Sequence, residues 1–202
     1  MEAEFRQKLL AALALDIPYP ERSPLQGGRA ASVLFLFGYT NGTPDGLAAL
    51  ITRRTDFVGT HKGQMAFPGG VSEPDELGGR EGRIRTALRE TEEEVGIPPA
   101  FVEVLGTLPA LATVSGFEIT PVVGLLRKPV EQVALDLNTG EIAEALWVPL
   151  STFLDPGTYG AEFVRLGEVN YPIHVYQVQE HRIWGATGSM IKNLLDRLQS
   201  LG

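Results

Sequence analysis

The stretch that decides the fold runs from Phe67 to Ile97 and reads FPGGVSEPDELGGREGRIRTALRETEEEVGI. In its second half, side chains suited to a core recur at spacings of four, three and four residues, at Ile84, Leu88, Thr91 and Val95. This spacing defines one side of an α-helix with 3.6 residues per turn. The sequence therefore predicts a helix here, and Gly96 is expected to end it as a C-cap glycine.

Acidic side chains crowd the opposite side of this helix. At about 100° per residue, Glu90, Glu93 and Glu94 project together, whereas Glu92 falls away from them. Like charges three or four residues apart destabilise a helix by a few tenths of a kcal/mol per pair. A hard divalent cation such as Mg²⁺ makes the clustering of these carboxylates favourable, because it takes carboxylate oxygens as ligands together with water and phosphate. The cluster predicts a metal site; a solvated run of acidic residues is the alternative.

The residues around the cluster form a more specific pattern. Glu81 is followed after seven residues by Arg89-Glu90, and the run from Glu93 to Ile97 completes a sequence that resembles the Nudix hydrolase box from its first glutamate onward. Counted back from Glu81, the first glycine of that box falls at Asp75. If Gly70 takes that part instead, the loop is five residues longer than usual.

A second motif precedes the box and resembles the coenzyme A pyrophosphatase branch of the same family. Its pattern is Leu-Ile-Thr-x-Arg-Thr, then His-x-Gly-Gln, then Phe-Pro-Gly-Gly. The matching residues are Leu50, Ile51, Thr52, Arg54, Thr55, His61, Gly63, Gln64, Phe67, Pro68, Gly69 and Gly70. Further resemblance lies in the run 120–124 and in Trp184-Gly185-x-Thr187, so that most of residues 47–200 is covered.

The residues also predict a fold class. Strand patterns at 30–39, 47–52, 101–108, 117–126, 141–150, 162–166 and 173–178 alternate with a few helices, which indicates a layered α/β domain. The resemblance makes this the Nudix fold, an α/β/α sandwich with a mixed central sheet. We expect one Nudix domain over residues 1–202, with an N-terminal helix and connector in 1–28. Pro121 within a strand predicts an edge or a bulge.

The resemblance, together with the local chemistry, assigns roles to individual residues. The predicted metal ligands are Glu90, Glu93, Glu94 and Gly70, and Mg²⁺ or Mn²⁺ is the implied cofactor. The predicted catalytic residues are Glu90, Glu93, Glu94 and Arg89, with the general base left open. Supporting carboxylates are expected at Glu81, Glu141 and Glu144, although solvent-facing glutamates would look the same. Phosphate and substrate contacts are expected at Arg53, Arg54, Lys62 and Gly69, since basic side chains and an open backbone suit a diphosphate.

The amino-acid composition excludes several classes of protein and of binding site. The chain has 202 residues, 44% hydrophobic content and a net charge of −8, which fits one globular domain and argues against binding a polyanion such as DNA. It contains no cysteine, which excludes disulfides and thiolate metal sites. The N-terminal 17 residues carry acidic side chains and lack a basic start, so we expect an amphipathic helix of a cytoplasmic protein and no signal peptide.

These observations predict a metal-dependent hydrolase. The resemblance implies cleavage of coenzyme A or acyl-CoA to 3′,5′-ADP and 4′-phosphopantetheine, with a small nucleotide as the only partner. A Nudix enzyme for ADP-ribose or a dinucleotide is one alternative, and a non-catalytic nucleotide-binding module is another. The proline-rich connector at 17–28 leaves a homodimer open beside a monomer.

Overall fold

The computed structural model describes residues 2–16, 28–43, 46–56, 62–166 and 169–202. The predicted connector at 17–27 and His61 lie outside them. The helices are α1 (Glu2–Ala14), α2 (Gly79–Val95), α3 (Leu150–Leu154) and α4 (Gly185–Gln199), and 3₁₀ turns span Pro74–Glu76, Pro99–Phe101 and Val130–Gln132. The strands are β1 (Arg29–Tyr39), β2 (Leu47–Arg54), β3 (Met65–Ala66), β4 (Gly69–Val71), β5 (Val102–Thr107), β6 (Leu111–Ala112), β7 (Phe117–Leu126), β8 (Ile142–Pro149), β9 (Tyr159–Leu166), β10 (Val169–Val178) and β11 (His181–Ile183).

Strand β1 lies at the middle of a mixed eight-stranded sheet ordered β3-β2-β1-β7-β5, to which β4, β6 and β8 add by pairing with β1, β7 and β2. Strands β1 and β7 are parallel, and the other pairings are antiparallel. The run 30–39 is apolar throughout because β1 is covered on both faces. Leu34 and Leu36 face one core cluster, and Phe35 and Phe37 face the other.

Helices cover both faces of this sheet. Ala87 and Val95 of α2 pack with Leu50 of β2 on one face. On the other face Leu9 of α1 and Ile191 of α4 share a core cluster with the remaining strands. The predicted α/β/α sandwich with a mixed sheet is therefore confirmed. The predicted cap of α2 is confirmed as well.

The edge expected at Pro121 is wrong, because β7 is an internal strand; the register of β5 against β7 does shift nearby, between Val104 and Gly106. Pro121 pairs with Val33 of the parallel strand β1. On its other side the neighbouring chain is interrupted, since β5 ends at Thr107 and β6 begins at Leu111. The proline, which has no N–H to donate, thus lies opposite a break in the ladder, where a central strand tolerates it.

A second sheet follows the first and was not anticipated as a separate unit. Strands β9, β10 and β11 form an antiparallel meander. Tyr176, Val178 and Ile183 connect it to the core cluster that contains α4. The strands predicted at 162–166 and 173–178 are longer than expected. Over the described parts of the chain, no helix has the length and apolarity needed to cross a bilayer.

A buried arginine ties the N-terminal helix to the C-terminal one. The side chain of Arg197 in α4 is 1% exposed. Its guanidinium donates to Asn193 Oδ1 over 2.8 Å, to the carbonyl of Ala12 over 3.1 Å and to the carbonyl of Leu15. A cation that hydrogen-bonds the last carbonyls of a helix also complements its negative end. Arg197 therefore fixes α1 to the face of the domain that α4 covers.

Replacing Arg197 with methionine should lower the free energy of unfolding by about 2–4 kcal/mol, because buried carbonyls lose a charged donor. Urea unfolding followed by circular dichroism measures the change. Arg80→Met, at an exposed position of α2, serves as the control and should change the free energy by less than about 0.5 kcal/mol. Equal effects of the two substitutions would show that Arg197 does not hold α1.

Candidate active site

The site forms where helix α2 approaches strand β4. A Cβ added to Gly70 would lie 2.5 Å from both carboxylate oxygens of Glu90. A Cβ on Gly69, whose φ is +154°, would overlap with the backbone of Ser32 in β1. Only glycine therefore fits at position 69, and a side chain at position 70 would displace the Glu90 carboxylate from its place against the strand backbone.

Glu94 occupies the inner side of this contact. Its side chain is 3% exposed, and Oε2 accepts the Gly69 N–H over 3.0 Å while Oε1 lies 3.3 Å from Arg54 Nη1. Desolvation raises the pKa of Glu94 to about 7, against the opposing effects of the Gly69 N–H and Arg54. The negative charges of Glu90 and Glu141 contribute to this rise. Glu94 is thus a carboxylate held in a place that disfavours its own charge.

Glu90 is also a carboxylate whose surroundings disfavour its charge. Burial raises its pKa above the ordinary value, and the neighbouring charges of Glu93 and Glu141 act in the same direction. The guanidinium of Arg89, with Nη1 3.0 Å from Glu90 Oε1, opposes the rise. Two carboxylates of one helix therefore lie close together with incomplete neutralisation, and a divalent cation would relieve that repulsion.

Glu93, the third carboxylate predicted to hold the metal, lies at the solvent-exposed edge of the cluster, and Arg89 Nη1 contacts both it and Glu90. Glu93 is 55% exposed, and its Oε2 lies 3.0 Å from Arg89 Nη1. Positions 93 and 94 are about 100° apart around the helix, and Arg89 at i−4 holds Glu93 on the solvent side. Within the described residues, no three acidic or histidine side chains are gathered as a ready metal site.

Arg89 is held by a residue that the sequence analysis did not single out. Its Nε lies 3.1 Å from Glu76 Oε1 and its Nη2 lies 3.1 Å from Glu76 Oε2, a bidentate pair. The Glu73 N–H and the Thr86 hydroxyl also donate to Glu76 Oε2, each over 2.9 Å. The Arg89 hydrogen bond is the main reason that the pKa of Glu76 falls to about 2. Glu76 is therefore a buried, ionised anchor for Arg89.

This finding corrects the supporting role expected of Glu81. Glu81 is exposed in the first turn of α2 and makes no hydrogen bond or ion pair with the part of the chain that the structure describes. Five residues separate Gly70 from Glu76, the separation that the box requires between its glycine and its glutamate. Counting forward from Gly70 would have found Glu76. The additional residues thus lie between Glu76 and Arg89, and not between Gly70 and the glutamate of the box.

The additional residues are folded into the helix. Helix α2 begins at Gly79, well before the predicted periodic run. Arg85 Nη2 donates to the Asp75 carbonyl over 2.7 Å, and Gly82 packs so closely on the Glu76 carbonyl that a Cβ would overlap with it. The segment from 74 to 82 is therefore tied to α2.

Arg54 and Glu141 complete the site from the sheet. Arg54 Nη2 lies 3.9 Å from Glu141 Oε2, and the same guanidinium reaches Glu94. Glu141 is 48% exposed and acts electrostatically on both Glu90 and Glu94. It is the carboxylate that the structure places beside the helix cluster from outside the box.

Arg53 and Glu144 do not reach this site, which corrects two expectations. They pair with each other, with Arg53 Nε 3.2 Å from Glu144 Oε2, and His181 Nε2 lies 3.5 Å from the same oxygen. Successive strand residues point to opposite faces, so Arg53 takes the face opposite to Arg54. Lys62 is exposed and makes no ion pair with the described residues, so its predicted phosphate contact stays a prediction.

The donor set suits a hard divalent cation. Mg²⁺ in phosphate-transferring sites commonly takes one or two carboxylates, with water and substrate phosphate as the other ligands. Glu90 and Glu94 supply two desolvated carboxylates beside the backbone of Gly70, where a side chain would fill the space. These residues would hold the ion.

The fold and this site define a class: an α/β/α sandwich whose helix presents paired carboxylates to a glycine-rich strand. Comparison with known proteins agrees, since the NUDIX domain model matches residues 27–164. The chain belongs to the Nudix family. It is a Nudix hydrolase, an enzyme that cleaves a pyrophosphate linkage in small nucleotide substrates, and such enzymes generally use a divalent metal ion.

The sequence relatives cover nearly the whole chain. A protein of Photorhabdus laumondii named "Uncharacterized Nudix hydrolase NudL" is 40% identical over 185 residues, which is 92% of this chain and 93% of that protein. A protein of the same name from Pectobacterium atrosepticum is 36% identical over 180 residues, covering 89% and 88% of the two chains.

Solved structures support the fold. The Nudix hydrolase RenU of M. smegmatis superposes with a TM-score of 0.50 at 24% identity, over 66% of this chain and 80% of that one. A Nudix hydrolase of Alicyclobacillus acidocaldarius gives a TM-score of 0.50 at 19% identity, over 64% and 82%.

The two glutamates that compete for the supporting role give a direct test. Glu76→Gln should lower kcat/KM for a nucleotide diphosphate about 10- to 100-fold, because Arg89 loses its charged anchor. Glu81→Gln, the matched change at an exposed position, should stay within about twofold of the wild type. Steady-state kinetics on both variants decides, and a greater loss in Glu81→Gln would contradict the assignment.

The raised pKa of Glu94 predicts a pH-dependent stability in metal-free protein. Between pH 4.5 and 7 the folded chain keeps a proton that the unfolded chain has released, so stability falls as pH rises. From pH 5 to pH 7 the contribution amounts to about 2 kcal/mol. Urea unfolding in EDTA should show this fall in the wild type and in Glu92→Gln, an exposed control on the same helix. It should be smaller in Glu94→Gln, where only the raised pKa of Glu90 still acts in the same direction; a fall of the same size there would rule out Glu94 as its source.

Proposed function

We propose that this Nudix hydrolase cleaves the diphosphate of coenzyme A or an acyl-CoA, yielding 3′,5′-ADP and (acyl-)4′-phosphopantetheine. The support is the motif that leads into the site, which resembles the coenzyme A pyrophosphatase branch. In the structure this motif supplies Arg54, Gly69 and Gly70, and all three adjoin Glu90 or Glu94. The observation that carries the proposal is this joining of the branch motif to the carboxylate pair.

The reaction is the attack of water on one phosphorus atom of an anionic diphosphate. A divalent cation neutralises phosphate oxygens and lowers the pKa of a bound water. We assign Glu90 and Glu94, with the backbone of Gly70, to holding the ion. Assays with each metal decide between Mg²⁺ and Mn²⁺. Arg89 keeps Glu90 and Glu93 in place while Glu76 keeps Arg89 in place.

A separate carboxylate is needed to take the proton from the attacking water. Glu93 and Glu141 are both exposed to solvent and close to the pair. We favour Glu141, because Arg54 connects it to Glu94, whereas Glu93 is paired with Arg89. Arg54, between Glu94 and Glu141, is also placed to contact a phosphate once substrate enters.

The decisive measurement incubates the purified protein with coenzyme A, ADP-ribose and a dinucleotide in separate reactions with Mg²⁺ or Mn²⁺. Chromatography should show 3′,5′-ADP and 4′-phosphopantetheine from coenzyme A, with the highest kcat/KM of the three. Glu94→Gln should lose at least about 10²-fold in turnover, the scale for metal and acid–base groups, and Glu93→Gln should do so only if Glu93, and not Glu141, is the base.

The other outcomes separate the alternatives. Preferred turnover of ADP-ribose or the dinucleotide would replace the substrate and keep the chemistry. Tight nucleotide binding without turnover under either metal would indicate a non-catalytic module. Near-normal activity of Glu93→Gln would remove that residue from the site, and Glu141→Gln tests the assigned base in the same assay.

A further inference from the structure

A line of polar side chains lies behind Glu76, and the proposed reaction does not use it. Thr86 Oγ1 lies 2.9 Å from Glu76 Oε2 and 2.9 Å from Ser72 Oγ. Ser72 Oγ lies 3.4 Å from Arg83 Nη1, and Arg83 Nη2 lies 3.6 Å from Glu118 Oε1 of β7. Thr86, Ser72 and Glu76 are buried. The line therefore connects the central sheet to the anchor of Arg89 through the interior.

The chemistry of the two ends fixes the direction of the hydrogen bonds that those ends make. Arg83 has only donors, and Glu76, with its pKa lowered to about 2, has only acceptors. Arg83 thus donates to Ser72, and the Thr86 hydroxyl lies within donating distance of both Ser72 Oγ and Glu76 Oε2. The Gly82 carbonyl lies 3.1 Å from the Thr86 hydroxyl, but the carboxylate is the stronger acceptor.

We infer that Thr86 and Ser72 are positioning residues for the metal-carboxylate site, acting through Glu76 and Arg89. The inference rests on the proposed function. Thr86 and Arg89 lie three residues apart on α2 and contact the same carboxylate. Two points of attachment from one helix fix the rotation of the Glu76 carboxylate. The plane of that carboxylate sets the plane of the Arg89 guanidinium, which in turn contacts Glu90 and Glu93.

The same helix offers a matched control. Thr91 is, like Thr86, 0% exposed, and its hydroxyl donates to the carbonyl four residues earlier, that of Ala87, over 2.7 Å. Valine at either position keeps the shape and removes one buried hydroxyl. Only the change at position 86 breaks the line to Glu76. A difference between the two variants therefore reports positioning and not general packing.

The experiment compares Thr86→Val, Thr86→Ser, Ser72→Ala and Thr91→Val with the wild type. Three quantities are measured: hydrogen exchange of the Arg89 Nε–H by NMR, Mn²⁺ affinity by EPR, and kcat and KM for the substrate. Thr86→Val should exchange the Arg89 proton faster, bind Mn²⁺ about 10-fold more weakly and lower kcat about 10-fold, with KM little changed. Thr86→Ser should restore all three.

Thr91→Val should match the wild type in all three quantities even if its stability falls. Wild-type values in Thr86→Val, or the same change in Thr91→Val, would overturn the inference. If Thr86→Val does not fold, Ser72→Ala decides, and an unchanged Arg89 exchange rate there would overturn it. A wild-type protein that binds Mn²⁺ but hydrolyses no nucleotide would refute the proposed function alone. The exchange and Mn²⁺ measurements would still decide whether Thr86 holds the site.

Discussion

The close approach of helix α2 to strand β4 is the constraint on which the site depends. The space that Gly70 leaves is taken by the carboxylate of Glu90, whereas Gly69 packs against the backbone of β1 and donates its N–H to Glu94. Both carboxylates lose water there, so their pKa values rise. The domain therefore holds like charges together without a full set of counter-charges, an arrangement that a divalent ion turns into a binding site.

Two arginines reduce the repulsion between these carboxylates, one from the sheet and one from the helix. Arg54, from β2, lies between Glu94 and Glu141 on the sheet side. Arg89, on α2, serves Glu90 on the solvent side, and its other contacts hold it against Glu76. The buried carboxylate of Glu76 orients the guanidinium of Arg89, because a bidentate pair has one favourable geometry. Charge compensation and positioning thus come from the same groups.

The sequence predicted those features that depend on local periodicity. The helix α2, its glycine cap and the apolar central strand β1 all follow from patterns a few residues long. Arg53 and Glu144 show the limit. Both look like phosphate or metal residues by type and neighbourhood, yet strand alternation turns them to the far face, where they pair with each other. Alternation was readable in advance, whereas the partner across the sheet depends on the register of β2 and β8.

Glu76 shows a different limit, and it explains why motif spacing is an indirect guide to geometry. The side chains of the box are those that contact one another in the folded protein. The usual number of residues between them follows from the usual path of the chain. Five further residues would lengthen a helix by about 7.5 Å. Here α2 gains its extra residues at its N-terminus. The chain then has to return over the added turn for Glu76 to meet Arg89. Gly82 allows the Glu76 carbonyl to pack directly on the helix, and Arg85 donates a hydrogen bond to the Asp75 carbonyl. The pair survives the change in spacing because tertiary contacts of the added turn, and not the count of residues, determine where the carboxylate lies.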